Sequence, residues 1–408
     1  MGIIARQSIK ASVVGFVGVG IGAVTTLFIT PKFLTPEEIG TLSTIQRSSI
    51  LLYSFMILGV IFSVRKFSST DFSISKYNYK EFLGANLVFL SISCLLFSLV
   101  YVLLKDVILS FFIQNSEELS SFIYFPLFLA IVIVFSQFFF VVAGVSKRIV
   151  FPNFFNSVVN RLLSVAILIG YGYGLMKFYN FTILYMTAFY VLPFILISVY
   201  VLYFLKVRIE IPDRLKLKSV FKDTYKYNSF LYLTITSSII IQSIDTIMIS
   251  SMKGTADAAI YTIAFFIATI IEIPQRMLVQ VASPIISNKL KSNDFKGLQV
   301  IYKESSLFQL FIAYVLFSGI WFNLDAIYKI MPNGSIYEAG WVVVLLISIA
   351  KITDIGFGLN KQIIEMSEYY NFNLFINIFM SLLVVVLNLV LIPKYGINGA
   401  ALASLISV

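Results

Sequence analysis

Apolar residues run along this chain in blocks of about twenty, broken by short stretches that hold most of the charge. A helix needs about 20 mostly apolar residues to cross a hydrocarbon core of about 30 Å. Blocks of that kind cover residues 11–30, 45–64, 82–104, 122–144, 157–176, 181–205, 228–251, 258–283, 305–323, 340–358 and 371–392. A twelfth opens near Gly396 and stops at Val408. About a dozen residues are too few to cross at 1.5 Å each, so the sequence is expected to stop short of its natural end. The pattern predicts an all-α polytopic membrane protein with about 12 transmembrane helices, the last one truncated.

Composition strengthens that reading. Of 408 residues, 59% are hydrophobic and only 12% charged, and mean hydropathy is +0.93. A soluble globule has about 45–50% apolar and about 25% charged residues, so lipid must cover much of this surface. The chain has no histidine, which removes the commonest metal ligand and the commonest general base. Its single cysteine, Cys94, rules out an internal disulfide framework. No metal or cofactor is expected. The first block lacks a small-residue cleavage site and is longer than a signal core, so it reads as the first span.

The basic residues then set orientation. With the N-terminus inside, 20 of the 30 Lys and Arg fall in inner segments, including Arg6, Lys10, Lys76 and Lys147. The outer loops hold 6: Lys32, Lys105, Lys177, Lys253, Lys329 and Lys394. The remaining 4 lie inside spans. That bias predicts a cytoplasmic N-terminus. It also explains the net charge of +10 without any nucleic-acid partner.

The longest inner segment, 206–227, carries seven basic residues and divides the chain into an N-terminal six-helix lobe (1–205), a basic linker and a C-terminal lobe (228–408). The halves echo one another. Asn153 and Asn371 each precede a phenylalanine and stand 218 positions apart, as do Asn180 and Asn398. Aligning Gly40 with Ala259 gives 219. Six spans per half make this a parallel repeat about the membrane normal, a transporter arrangement with the substrate site between the lobes.

Several runs resemble bacterial polysaccharide flippases: LIPKYGINGAALAS from Leu391 to Ser404, IDTIM from Ile244 to Met248, AAIYTIA from Ala258 to Ala264, PIIS from Pro284 to Ser287 and FLTPEEIG from Phe33 to Gly40. The resemblance extends over nearly the whole chain and is to O-antigen and exopolysaccharide unit translocases of the multidrug/oligosaccharidyl-lipid/polysaccharide exporter superfamily. It implies two six-helix lobes around a central cavity in the bacterial inner membrane. The implied cargo is an undecaprenyl-diphosphate-linked oligosaccharide, moved from the inner to the outer leaflet for surface polysaccharide synthesis. The implied partners are the lipid bilayer, a polysaccharide polymerase and other assembly proteins.

Seven ionisable residues fall within the predicted spans: Arg47, Arg161, Asp245, Glu272, Arg276, Lys351 and Asp354. Charge in hydrocarbon is expensive, so such groups face a bundle interior or a watery cavity. Glu272 and Arg276 share a helix face, as do Lys351 and Asp354, and each pair either neutralises itself or serves the substrate. Pro274, between Glu272 and Arg276, is expected to bend the eighth span. Arginine suits a diphosphate, because its planar fork binds oxygens bidentately and keeps its charge. In the related lipid II flippases, arginines on the second and eighth helices line the cavity, which makes Arg276 and Arg47 the leading cavity candidates, with Arg161 and Glu272 beside them. Arg47 and Arg161 also lie near span ends, where snorkelling is an equal reading. Asp245 either binds a coupling cation, offsets an arginine or holds a neighbouring helix; Lys351 and Asp354 take ion coupling or charge balance.

Three rivals remain. A cation-coupled multidrug and toxin extrusion antiporter shares the superfamily, but generally depends on acids in its N-terminal lobe. None falls in the first six spans here. A membrane-embedded glycan polymerase or ligase usually carries a large polar outer loop, and the longest outer loops here are about 17 residues. A passive scaffold gains little from burying charge.

Overall fold

The computed structural model describes residues 14–15, 17–67, 78–112, 116–146, 148 and 150–408. Arg6, Lys10, Lys76 and Lys147 lie outside the described residues, as does the start of the first span. Among the described residues there is no strand. Among the described residues, nine helices are long and apolar enough to cross a membrane, or ten if one bent pair is a single span.

The first spans are α1 (Val17–Phe33), α2 (Pro36–Met56), α3 (Val60–Phe67) and α4 (Tyr79–Leu103). After α5 (Lys105–Phe112) come α6 (Phe125–Val145), α7 (Val150–Gly172), α8 (Phe178–Phe204) and α9 (Arg214–Lys253). Then follow α10 (Thr255–Thr269), α11 (Ile273–Lys291), α12 (Phe295–Phe322), α13 (Leu324–Ile330) and α14 (Gly334–Gly356). The chain closes with α15 (Asn360–Met366), α16 (Tyr370–Tyr395) and α17 (Ile397–Ile406).

Two compact units result. One comprises Met1–Leu34 with Ile45–Ile239, and the other Thr35–Thr44 with Ile240–Val408. The 206–227 segment is not a loop throughout. Only residues 206–213 lie outside helices, and 214–227 forms the opening turns of α9. Val220 and Thr224, four apart and both buried, supply the packed stripe that holds those turns helical. The 206–213 strap is fixed by Lys80–Glu210 (3.2 Å) and by the backbone N–H of Glu210 donating to the Lys80 carbonyl (3.2 Å). Just beyond it, Lys216 pairs with Glu81 at 2.8 Å.

The second span is broken rather than continuous. α2 starts with a reciprocal cap: the Thr35 N–H donates to the Glu38 carboxylate, and the Glu38 N–H to the Thr35 hydroxyl. It ends at Met56, and α3 leaves at 64°. At the break Leu58 and Gly59 have φ of 43° and 69°. A Cβ on Gly59 would lie 2.1 Å from the Asn228 carbonyl oxygen, so the bend needs a glycine there for both space and conformation. The expected bend at Pro274 also takes another form. Residues Ile270–Glu272 make a 3₁₀ turn, and Pro274 occupies the first turn of α11, where its missing N–H removes no helical bond.

α1, α7 and α8 each contain a π-helical stretch, at Thr25–Ile29, Phe155–Val159 and Tyr200–Phe204. The core of the first unit is built by α3, α4 and α6 around buried Phe82, Leu90, Val134 and Phe138, with Cys94 buried among them. Large exposed apolar side chains, such as Leu95, Leu99, Phe308, Phe311, Phe375 and Phe379, recur at helical spacing on α4, α12 and α16. In water such stripes would be a liability, whereas lipid covers them.

Candidate functional site

In the second unit, Asp245 on α9 is 4% exposed. It accepts hydrogen bonds from Tyr261 Oη on α10, Asn388 Nδ2 on α16 and Ser404 Oγ on α17, each at 2.6 Å. One carboxylate therefore joins four helices through neutral donors. Hydrogen bonds to a charged acceptor are short and strong, and in a low-dielectric interior they are costly to lose. Asn388 Oδ1 beside it is buried and has no hydrogen-bond partner among the described residues. Of the three expectations for Asp245, the helix-holding contacts are the ones seen, although a carboxylate with a free amide oxygen nearby also suits a proton or a cation.

The second constellation lies where α10 passes through its 3₁₀ turn into α11. Glu272 sits at that junction with 18% of its side chain exposed. Its Oε2 accepts from Arg276 Nη2 at 3.1 Å and meets Lys351 Nζ at 3.3 Å. The expected Lys351–Asp354 pair is not formed. Both lie on α14, but Lys351 turns to Glu272 and passes 5.9 Å from the Phe265 ring centre. A carboxylate on a neighbouring helix outcompetes one a turn away, and Asp354 stays exposed. Arg276 is 64% exposed and spends a single hydrogen bond on Glu272, so most of its five-donor fork stays available.

The first unit holds the other two arginines. Arg47 on α2 is half-buried beside Tyr190 of α8, which is hydrogen-bonded to Gln46. Arg161 on α7 lies beside Tyr185, one turn earlier on α8, and donates from Nη1 to the Gly18 carbonyl of α1. Gly22 lies so close that a Cβ there would overlap Nη1. Arg161 thus anchors α1 to α7 and is not free to snorkel. The predicted site residues thus fall into separate groups: Glu272, Arg276 and Lys351 together, Asp245 apart from them on its own donors, and Arg47 and Arg161 in the other unit. Among the described residues, no three His, Cys, Asp or Glu side chains gather as a metal site.

The partners sequence reading missed are polar residues in apolar runs: Tyr261, Asn388, Ser404, Gln46 and the pair Tyr185 and Tyr190. Asn388 carried a signal, since an amide deep in an apolar span needs a partner. Its partner is 143 positions away, which no local pattern reveals.

No protein-family model matches the sequence, and no curated protein matches it at significance. Solved structures do. The chain is similar to the lipid II flippase MurJ in an inward closed conformation, with a TM-score of 0.75 at 14% identity, covering 98% of this chain and 85% of that one. It is also similar to an inward-facing multidrug resistance MATE family transporter of the MOP superfamily, with a TM-score of 0.68 at 14% identity and coverage of 93% and 90%. A third match is a MOP superfamily transporter from Pyrococcus furiosus, with a TM-score of 0.63, 14% identity and coverage of 99% and 92%. The chain therefore has the helical fold that these solved structures share.

Proposed function

We propose that this chain moves an undecaprenyl-diphosphate-linked oligosaccharide from the inner to the outer leaflet of the bacterial cytoplasmic membrane, for surface polysaccharide synthesis. A diphosphate and several sugars cannot cross hydrocarbon alone, because buried charge and unpaired hydroxyls cost several kcal/mol or more. A polar, cationic surface substitutes for their water while the polyprenyl tail stays in lipid. The observation that carries the reading is the exposed Arg276 fork at the Glu272–Lys351 node. Lys351 already satisfies Glu272, so Arg276 is not needed to neutralise it, and its free donors match a diphosphate. Arg47 and Arg161, with Tyr190 and Tyr185, are the corresponding cationic group of the first unit. The N-terminus lies in the cytoplasm, and a polysaccharide polymerase and other assembly proteins act on the product.

The test is surface glycan and lipid-linked intermediates in cells carrying Arg276→Ala. Protein levels stay near normal, surface glycan is lost and lipid-linked units accumulate. Arg276→Lys restores export only in part, because lysine keeps the charge and loses the fork. Full export by Arg276→Ala would overturn the substrate role.

A second reading is a cation-coupled antiporter of the multidrug and toxin extrusion kind. Asp245 favours it: a buried carboxylate beside an unpartnered amide oxygen suits a coupling proton or cation. The two readings share that coupling device and differ in cargo. Drug efflux that persists in Arg276→Ala and stops in Asp245→Asn would favour the antiporter.

A further inference from the structure

A groove in the first unit is lined by none of the candidate site residues named above. It is lined by Arg148, Val150, Phe151, Phe154 and Tyr200 and has a volume of about 330 Å³. That is at the small end of ligand pockets, which run about 300–1,000 Å³. Its floor is aromatic. Phe151 stacks on Tyr200 with ring centres 4.3 Å apart at 20°, and Phe155 closes on Phe151 at 4.6 Å.

Both walls are irregular in the same way. The π-helical stretch of α7 begins at Phe155 and that of α8 at Tyr200, so each wall changes its helical register beside the groove. Wide turns of this kind rotate the flanking side chains out of the ordinary i, i+4 pattern and concentrate at functional positions. Here they bring Phe151 and Tyr200 face to face across two helices.

The mouth is cationic. Arg148 is exposed, lies two residues before α7 begins, and makes no ion pair among the described residues. The opening N–H groups of α7 lack helical acceptors and add the positive end of its dipole. Below the mouth the surface is apolar and accessible: Phe151 and Phe154 are 37% and 43% exposed, and Tyr203 and Phe204 on the next turn of α8 are 75% and 66% exposed. Arg148 above a strip of exposed rings matches a phosphate followed by hydrocarbon. It does not match a free anion, which gains nothing from the rings, nor an oligosaccharide, which needs many polar partners.

We infer that the α7–α8 groove binds an anionic phospholipid of the leaflet that the basic residues assign to the cytoplasm. Arg148 holds the phosphate, and Phe151, Phe154 and Tyr200 hold the first part of one acyl chain. The inference rests on the proposed orientation for its choice of leaflet, but not on the transport reading.

The test is native mass spectrometry of the full chain in detergent, titrated separately with phosphatidylglycerol, phosphatidylcholine, undecaprenyl phosphate and inorganic phosphate. Wild type should retain phosphatidylglycerol adducts at least about tenfold better than phosphatidylcholine, the scale of one charge-assisted contact. Arg148→Gln should abolish that preference, and Phe154→Ala should weaken both phospholipids. Circular dichroism and elution volume confirm that each variant is folded. Equal retention of the two phospholipids, or an undiminished preference in Arg148→Gln, would overturn the site. Tighter undecaprenyl phosphate binding would reassign it to the cargo's own anchor, and displacement of lipid by millimolar inorganic phosphate would reduce it to an anion site. Since none of these arms measures translocation, the inference and the transport reading fail independently.

Discussion

Two carboxylates in the same unit are treated in opposite ways. Asp245 is buried and accepts from neutral donors on three other helices, all at 2.6 Å. Glu272 is half-buried beside two cations, one of which, Arg276, stays 64% exposed. A carboxylate met by neutral donors from several helices ties those helices together. A charge oversupplied with cations leaves one of them able to meet another anion. Structure and recognition are thus divided between two acids that look alike in sequence.

The largest effect expected from that contrast is at Asp245. Asp245→Ala removes the acceptor that the buried Tyr261 and Asn388 and the part-buried Ser404 share, and a buried donor that loses its acceptor costs about 1–3 kcal/mol. Folded protein recovered in detergent and its thermal midpoint should both fall steeply. Arg276→Ala should change the midpoint little, since exposed ion pairs contribute about 0–1 kcal/mol and Lys351 still meets Glu272. A large midpoint loss in Arg276→Ala with none in Asp245→Ala would reverse the assignment of the two acids.

A sharper test uses Lys351. Lys351→Ala leaves Glu272 with Arg276 as its single cation and should draw the fork inward. Export should drop, and Lys351→Ala/Glu272→Ala should regain it by freeing Arg276. If the double variant exports no better than Lys351→Ala, the node does not act through Arg276.

Topology gives a test that does not depend on the substrate. With Cys94 replaced, cysteines at Tyr173 and Lys218, both exposed, are expected on opposite sides of the membrane. A membrane-impermeant thiol reagent on intact cells should label position 173 and spare 218. Labelling of 218 alone would invert the orientation.

The smallest effect lies at Asp294, which caps α12. The Lys289 ammonium at 2.6 Å, and then the Gly297 N–H at 2.9 Å, hold its carboxyl below the ordinary aspartate range. A depressed folded pKa gives stability that is complete above the ordinary value, about 4, and disappears as pH falls through the folded one. Asp294→Asn should therefore lower the midpoint slightly at neutral pH, and the difference from wild type should vanish on acidification. A difference that grows as pH falls would contradict the assignment.

Much of this molecule was legible in its sequence, for physical reasons that differ from place to place. The spans were legible because lipid imposes length and apolarity on each segment independently. The Glu272–Arg276 pair was legible because four residues on a helix are neighbours. The Lys351–Asp354 pair failed, since a helix from elsewhere supplies a better-placed carboxylate. The break after Met56 was missed because its causes are the φ of Leu58 and the nearness of Asn228, and neither has a local signature beyond Gly59. The turns from 214 to 227 were read as linker because their charge hid the buried pair Val220 and Thr224.

The most direct test of the proposed cargo is translocation itself. Purified chain in liposomes is given a fluorescent lipid-linked oligosaccharide, and its loss from one leaflet is followed with an impermeant quencher for wild type, Arg276→Ala and Glu272→Ala/Arg276→Ala. Wild type should move the substrate, and both variants should be slower by about tenfold or more, the scale of one lost charge-assisted contact of about 1.4 kcal/mol. A wild-type rate in the double variant would contradict the role of Arg276, and a wild type that moves a cationic drug but no lipid-linked oligosaccharide would contradict the proposed cargo.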